Sequence, residues 1–315
     1  MNLAVVAGVC GAIGLITVVG TISLGKAPGR GTEARVDSHA TEEYGKHLVA
    51  ETTEVLGPDV ANVKMRSMNS RLFCASCHIG VGAEPGNLSL AVAMTKYPRI
   101  SPRSNGNETI QDRINGCMTR SMNGHTLKED SPEMIAMVSY VRFLSEQDAA
   151  MGAGQKKAHE PPAFKTPNRK ADLEAGAQVF EKRCAACHGK DGGGLPASKN
   201  LTEGFVFPPL WGDNSFNEGA GLHRVLTAAK FVKAKMPLGR ADLDDGDAFD
   251  VAAYINSKPR PAMAGLEKDY PDLKKKPVDT GYGPYADSFP LEQHRFGPFA
   301  PIEDYYKKLA STAKK

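Results

Sequence analysis

The chain carries little net charge, +3 at neutral pH, and no basic stripe interleaved with aromatic residues, which excludes nucleic acid as a partner. Zinc spacing is missing too. Two C-x-x-C pairs occur, but no further ligands stand at matching distances. No strong strand pattern precedes either pair, as a thioredoxin-like redox site would need. Long regular patterning is also scarce. Twenty-one prolines and thirty-two glycines interrupt a composition otherwise ordinary for a soluble protein, with 24% charged and 41% hydrophobic residues. The 315 residues suggest two domains, at about 100–200 residues each.

What is present is one motif, twice: Cys74-Ala75-Ser76-Cys77-His78 and Cys184-Ala185-Ala186-Cys187-His188. Each reads C-x-x-C-H, the attachment signature of c-type haem. The two thiols add across the two vinyl groups of one porphyrin, and the next imidazole lies under the iron. Four of the six cysteines serve this chemistry. Cys74, Cys77, Cys184 and Cys187 are therefore attachment residues for two covalently bound haem c groups, with His78 and His188 as iron ligands. A porphyrin supplies much of a small domain's core, which suits the irregular composition.

Residues 3–24 form an uncharged apolar stretch of 22. At 1.5 Å per residue it is long enough to cross a bilayer core of about 30 Å. Signal-peptide h-regions are shorter, about 7–15 residues. The stretch reads as an anchor before a signal, although Ser23-Leu24-Gly25 resembles a small-x-small cleavage site. Lys26 and Arg30 would place the following chain in the cytoplasm by the positive-inside rule. Covalent haem attachment occurs outside the bacterial cytoplasmic membrane, and that argument places the bulk of the chain in the periplasm, with membrane attachment through residues 3–24. Cys10 lies within the stretch and reads as a buried thiol.

The organisation expected is an all-α protein with two class I cytochrome c-like haem domains. Residues 1–25 are the anchor or signal, 26–40 a tether, 41–151 the first haem domain, and 152–170 a Gly-, Pro- and Lys-rich linker. Residues 171–262 are the second haem domain, and 263–315 a C-terminal extension. A helix is expected over 42–56. Ser131-Pro132-Glu133 is a helix start, with Ser as N-cap and Pro at the first position. A second pair of helices is expected over 172–183 and about 247–257. Gly176 and Phe180, with Tyr254, fit a close crossing of that pair. The extension carries no helical period until its last residues. Its aromatic content favours draping over the domains, since disordered tails are poor in aromatics.

Each iron needs a second axial ligand. For the second haem the candidate is Met236, followed by Pro237, a thioether that raises the reduction potential. Lys235 is adjacent and competes for the iron when deprotonated. For the first haem, Met118, Met122, Met134, Met137, His125 and Cys117 all follow the motif. Cys117 stands outside the apolar stretch without a haem to attach, and a lone periplasmic thiol invites oxidation. Its plainer readings are a buried small hydrophobe, or an inert thiol beside a Met-ligated iron.

The segment Arg113-Ile114-Asn115-Gly116-Cys117-Met118-Thr119-Arg120-Ser121-Met122-Asn123-Gly124 resembles the distal-cysteine segment of the dihaem thiosulfate dehydrogenases. Phe207-Pro208-Pro209-Leu210-Trp211-Gly212, Ala234-Lys235-Met236-Pro237 and Gly283-Pro284-Tyr285 are similar to that family too, so the likeness covers roughly residues 40–300. The resemblance implies that Cys117 ligates the first iron at a catalytic site and that Met236 ligates the second, with Lys235 exchanging. It implies that two thiosulfates are joined into tetrathionate, with two electrons released to an external acceptor such as another cytochrome. A thiolate should lower the first haem's potential below that of the thioether-ligated second.

Bringing two dianions together is costly: two like unit charges 4 Å apart repel by about 4 kcal/mol at an effective dielectric near 20, and dianions by about four times that. Fixed positive charge must offset this. Arg103 and Arg113 match the family's substrate arginines, and Ser121 is placed to donate to the same anion. Arg99 and Arg120 are weaker candidates, and each arginine can also be a solvated charge or a haem-propionate partner. Three other functions share these features: a membrane-tethered electron carrier, a tetrathionate reductase, and a cytochrome passing thiosulfate to a carrier protein.

Overall fold

The computed structural model describes residues 38–152, 158–199 and 201–312, so the apolar stretch at 3–24 and Cys10 lie outside the described residues. Among the described residues no helix is long and apolar enough to cross a membrane.

The architecture is two helical units in tandem, each closed by a pair of crossing helices. In the first unit α1 (Ser38–Ala50) meets α3 (Pro132–Ala150), with α2 (Ile110–Arg120) between them in sequence. In the second, α4 (Leu173–Arg183) meets α6 (Asp245–Ser257), and α5 (Val225–Lys235) packs on α6. Two short antiparallel ribbons complete the units, β1 (Arg99–Ile100) with β2 (Asn107–Glu108) and β3 (Leu195–Pro196) with β4 (Phe205–Phe207).

Side-chain caps set the helix starts. The Ser131 hydroxyl accepts from the Met134 N–H at 3.2 Å, with Pro132 in the first turn. Asp172 accepts from the N–H groups of Glu174 and Ala175. Asp244 caps α6 through the Asp247 N–H at 2.8 Å, so that helix starts earlier than its apolar pattern suggests. The expected 42–56 helix is in fact two pieces. It breaks at Glu51, whose ψ of 37° leaves the helical region, and resumes as the turn Thr52–Leu56.

The two units repeat one crossing. A Cβ on Gly176 would strike the Asp250 carbonyl, and one on Gly45 would strike the Ala136 carbonyl. Only glycine permits either approach. The aromatic partners also correspond: Tyr254 lies against Gly176, and Tyr140 against Gly45. The Phe180 and Tyr254 rings pack at 5.7 Å across the second crossing.

The C-terminal extension carries α7 (Leu291–Phe296) and α8 (Ala300–Thr312). Phe296, Phe299 and Ile302 are buried with Phe249 of α6 in one apolar cluster. Burying each such side chain is worth about 1.5–3 kcal/mol. Its earlier part reaches the first unit through Asp269, which binds both Arg103 and Arg120.

Candidate active site

Helix α2 is the element that organises the first site. Thr109 and Asp112 form a reciprocal cap at its start, each satisfying the other's backbone N–H at 2.8–3.1 Å. Ile110, Ile114 and Met118 run down one side, and Met118 is fully buried in the core of the first unit. Arg113, Cys117 and Ser121 occupy the neighbouring stripe, spaced by four, so the three line one face. The Ser121 N–H donates to the Cys117 carbonyl at the helix end.

The Cys117 sulfur lies within hydrogen-bond reach of the His78 ring. His78 itself is oriented by its Nδ1, which sits 2.6 Å from the Leu88 carbonyl. That contact leaves Nε2 to face the thiol. Burial works to raise the Cys117 pKa, but the Arg113 guanidinium and the His78 ring outweigh it and hold the thiol down to about 7. Cys74 and Cys77, without such a cation, are pushed up by burial to about 11 and about 12.

Two further residues belong to this cluster and escaped sequence reasoning. The Tyr97 side chain hydrogen-bonds Arg113, and its ring lies 4.9 Å from the Arg99 guanidinium. Glu108 pairs with Arg99 at 2.8 Å across the β1–β2 ribbon. No motif marks either; only the ribbon brings them beside α2.

Arg103 is engaged differently. Its Nη1 donates to Asp269 at 2.7 Å, and to Tyr282 and the Gly219 carbonyl at 3.3 Å. Arg120 grips the same carboxylate through both Nη atoms, at 2.8 and 2.9 Å. Met122, Met134 and Met137 are buried in the same core as Met118, and His125 is exposed with its Nε2 on the Arg66 carbonyl.

Both motifs open onto a cavity of about 510 Å³, whose walls include Cys77 and Ile79 beside the first and Cys184, Cys187, His188 and Met236 at the second. Pro208 holds the His188 Nδ1 at 2.8 Å through its carbonyl, just as Leu88 holds His78. A ring nitrogen fixed by a backbone carbonyl sets the tautomer and aims the other nitrogen at a metal. The motif cysteines, the aimed imidazoles and the apolar cavity all fit covalent haem c. Lys235 does not line this cavity. Its side chain is buried, and Nζ donates to Glu84 at 2.5 Å and to the Pro85 carbonyl at 2.7 Å.

The two units are joined at α2. Asn217, from the loop before α5, donates through Nδ2 to the Thr119 carbonyl at 2.9 Å and to Asn123 at 3.1 Å. Its backbone N–H donates to the Arg120 carbonyl at 3.1 Å. These are the carbonyls that a helix end leaves without partners.

Residues 64–149 match the family model "SoxA/TsdA, cytochrome c domain", and residues 171–255 match "Cytochrome C oxidase, cbb3-type, subunit III". The chain is 40% identical to a thiosulfate dehydrogenase of Psychrobacter arcticus, over 65% of this chain and 62% of that protein. It is 39% identical to the one from Stutzerimonas stutzeri, over 70% of this chain and 67% of the other. The Allochromatium vinosum protein is 40% identical over 60% of this chain and 70% of its own length. Among solved structures, thiosulfate dehydrogenase (TsdBA) from Marichromatium purpuratum, in its "as isolated" form, matches with a TM-score of 0.64 and 29% identity. That match covers 76% of this chain and 50% of the other. The chain thus spans about two thirds of its curated relatives and half of the solved one. Two cytochrome c domains indicate two covalent haem c groups. With this pairing of domains and this identity to proteins of one name, the chain belongs to the thiosulfate dehydrogenase family.

Proposed function

We propose that the protein is a periplasmic dihaem oxidoreductase that couples two thiosulfates into tetrathionate and passes two electrons to an external acceptor, another cytochrome. The observation that carries this reading is the Cys117 sulfur facing His78 with Arg113 beside it. A plain electron carrier has no use for a buried thiol held near its ionisation point. Residues 41–151 form the catalytic part and residues 171–262 the electron-transfer part, with residues 3–24 as attachment to the membrane.

In this reading Cys117 and His78 would hold the iron of the first haem, and His188 and Met236 that of the second. The two haems, when bound, accept one electron each. The Cys117 thiolate bonds the outer sulfur of one thiosulfate, and the two electrons released as this sulfur–sulfur bond forms would pass to the two haem groups. A second thiosulfate attacks that outer sulfur, tetrathionate leaves, and the Cys117 thiolate is regenerated. No proton is consumed in either step. Arg113 stabilises the thiolate and the incoming anion, and its planar fork suits an oxyanion. Ser121 donates from the same helix face. Arg103 reaches an anion only by sharing its charge with Asp269. Lys235 becomes a ligand only if it leaves Glu84.

The test is to mix purified, haem-loaded protein with thiosulfate and an artificial one-electron acceptor, and to assay tetrathionate. Cys117→Gly should abolish turnover and change the first haem's spectrum while sparing the second's. Absence of both product and haem reduction in the wild type would refute the reading, as would full turnover in the variant.

A further inference from the structure

The last residue of α5 and the one after it serve different neighbours. Lys235 ends the helix, and Met236 leaves it with φ −122° and ψ 144°, an extended backbone that turns successive side chains to opposite sides. Met236 is a wall of the cavity beside Cys184, Cys187 and His188. Lys235 instead runs into the first unit, where only 7% of it stays exposed. Its Nζ donates to Glu84 Oε1 at 2.5 Å and to the Pro85 carbonyl at 2.7 Å. A Cβ on Gly86 would lie 3.7 Å from the same Nζ. The cation thus lies along three consecutive residues of the first unit.

Those residues belong to the loop that follows the first haem motif. The Gly82 N–H donates to the His78 carbonyl at 2.7 Å, and the Leu90 N–H donates to the Gly82 carbonyl at 2.8 Å, so the loop folds back on the motif. Leu88 carries the carbonyl that lies 2.6 Å from His78 Nδ1. It presents that carbonyl from a φ of 63°, and Val81 stands at 55°. The left-handed region is costly for bulky and β-branched residues, and such a backbone persists only where its surroundings over-determine it. Lys235 is what the second unit adds to those surroundings. It makes two hydrogen bonds, one of them to a carboxylate, at the fourth and third residues before Leu88.

We propose that Lys235 is a positioning residue for the first haem: it holds the 84–88 loop so that the Leu88 carbonyl fixes the His78 ring, and it ties that ring's orientation to the segment carrying Met236. A ring N–H held by a carbonyl makes the imidazole a stronger donor to a metal. Loosening the loop weakens that donor, which favours the reduced iron at the first haem. Two adjacent residues thereby serve one haem site each. The inference rests on the two covalent haem groups, with His78 as a ligand, and not on thiosulfate turnover.

The test uses haem-loaded full-length protein carrying Glu84→Gln and Lys235→Met together, which removes the latch and leaves the net charge unchanged. The first haem's midpoint should rise by about tenfold in its reduction equilibrium, about 59 mV for one electron, and its ferric low-spin signal should shift. The second haem's midpoint and its thioether-to-iron charge-transfer band should stay as in the wild type. An unmoved first haem in the double variant would overturn the proposal. So would a change confined to the second haem, which would make Lys235 a residue of that site alone. If the double variant does not load haem, Glu84→Gln by itself decides. It keeps the Pro85 bond and should shift the first haem's ferric signal in part, and an unmoved signal there would overturn the proposal.

Discussion

Removing the charge at position 113 tests how the protein makes its thiol reactive. Arg113 and Cys117 are four apart on α2, which puts their Cβ atoms about 5–6 Å apart. A unit charge pair at about 5.5 Å and an effective dielectric near 20 is worth about 3 kcal/mol. At 1.36 kcal/mol per unit, that is about two pKa units. The Cys117 thiol falls from 9.0 to about 7, although burial alone would raise it. Arg113→Met should therefore return the thiol to about 9 or above, since the burial penalty then meets only His78. The sign follows from the ligand's chemistry. In the proposed site a thiolate would bind iron and a thiol would not, so ligation would be present above the thiol's pKa and lost as pH falls through it. Coordination lowers the pKa in wild type and variant alike, so their difference is the readout. A pH titration of the first haem's ferric low-spin thiolate signal should show the midpoint displaced upward by about two units in Arg113→Met. Arg113→Lys should recover most of the displacement. Coincident titrations of wild type and Arg113→Met would show that the guanidinium does not act on the sulfur, and the electrostatic account would fail.

Two other changes probe the scaffold. Gly176→Ala drives a methyl group into the Asp250 carbonyl, and Gly45→Ala does the same at Ala136. Each should cost about 1–3 kcal/mol by overpacking, read as a lowered denaturant midpoint with unchanged m-value. A neutral result at either would mean that the helices separate freely. Asn217→Ala leaves the Thr119 carbonyl without its side-chain donor and removes the bond to Asn123. About 2–3 kcal/mol of stability should be lost, and thiosulfate turnover should fall while the second haem's spectrum stays intact. Unchanged turnover would show that the end of α2 needs no support from the second unit.

The parts legible in the sequence are those set by chemistry over short spacings. The C-x-x-C-H motifs, the Ser131 cap and the Gly176 crossing each depend on residues a few positions apart, or on one residue with no substitute. Gly45 obeys the same rule as Gly176, but no sequence motif marks it. The α1 break at Glu51 was not legible, because the apolar pattern continues through it. Tyr97 and Glu108 were invisible for another reason: they reach Arg113 and Arg99 through a two-residue ribbon that has no periodicity to detect. Arg103 shows the limit of reading a charge from a segment likeness. Its position on the chain is unremarkable, and its engagement is decided by Asp269, 166 residues later. The extension's helix α8 also exceeds the sparse periodicity at the end of the chain, since Phe299 and Ile302 find their partners on α6 rather than on a continuous face of their own.

That distant engagement bears on why this fold needs both units and the extension. Helix α2 presents Arg113, Cys117 and Ser121 on one face, and its end is held by groups that lie outside the first unit. Asn217 takes the Thr119 and Arg120 carbonyls, while Asp269 takes the Arg120 guanidinium. Arg103 and Arg120 converge on one carboxylate that is 8% exposed, and both also donate to the Gly219 carbonyl. A buried carboxylate left with no cation costs about 3–5 kcal/mol, and Asp269 is kept from that by both arginines. The second unit thus contributes Asn217 and Gly219, and the extension contributes Asp269, to a helix whose Arg113–Cys117–Ser121 face belongs to the first. The proposed chemistry would require Cys117 to be held to a fraction of an ångström. The first unit by itself lacks the groups that fix the end of the helix carrying Cys117. The pairing of the two cytochrome units is therefore structural, beyond any electronic role in the proposed function.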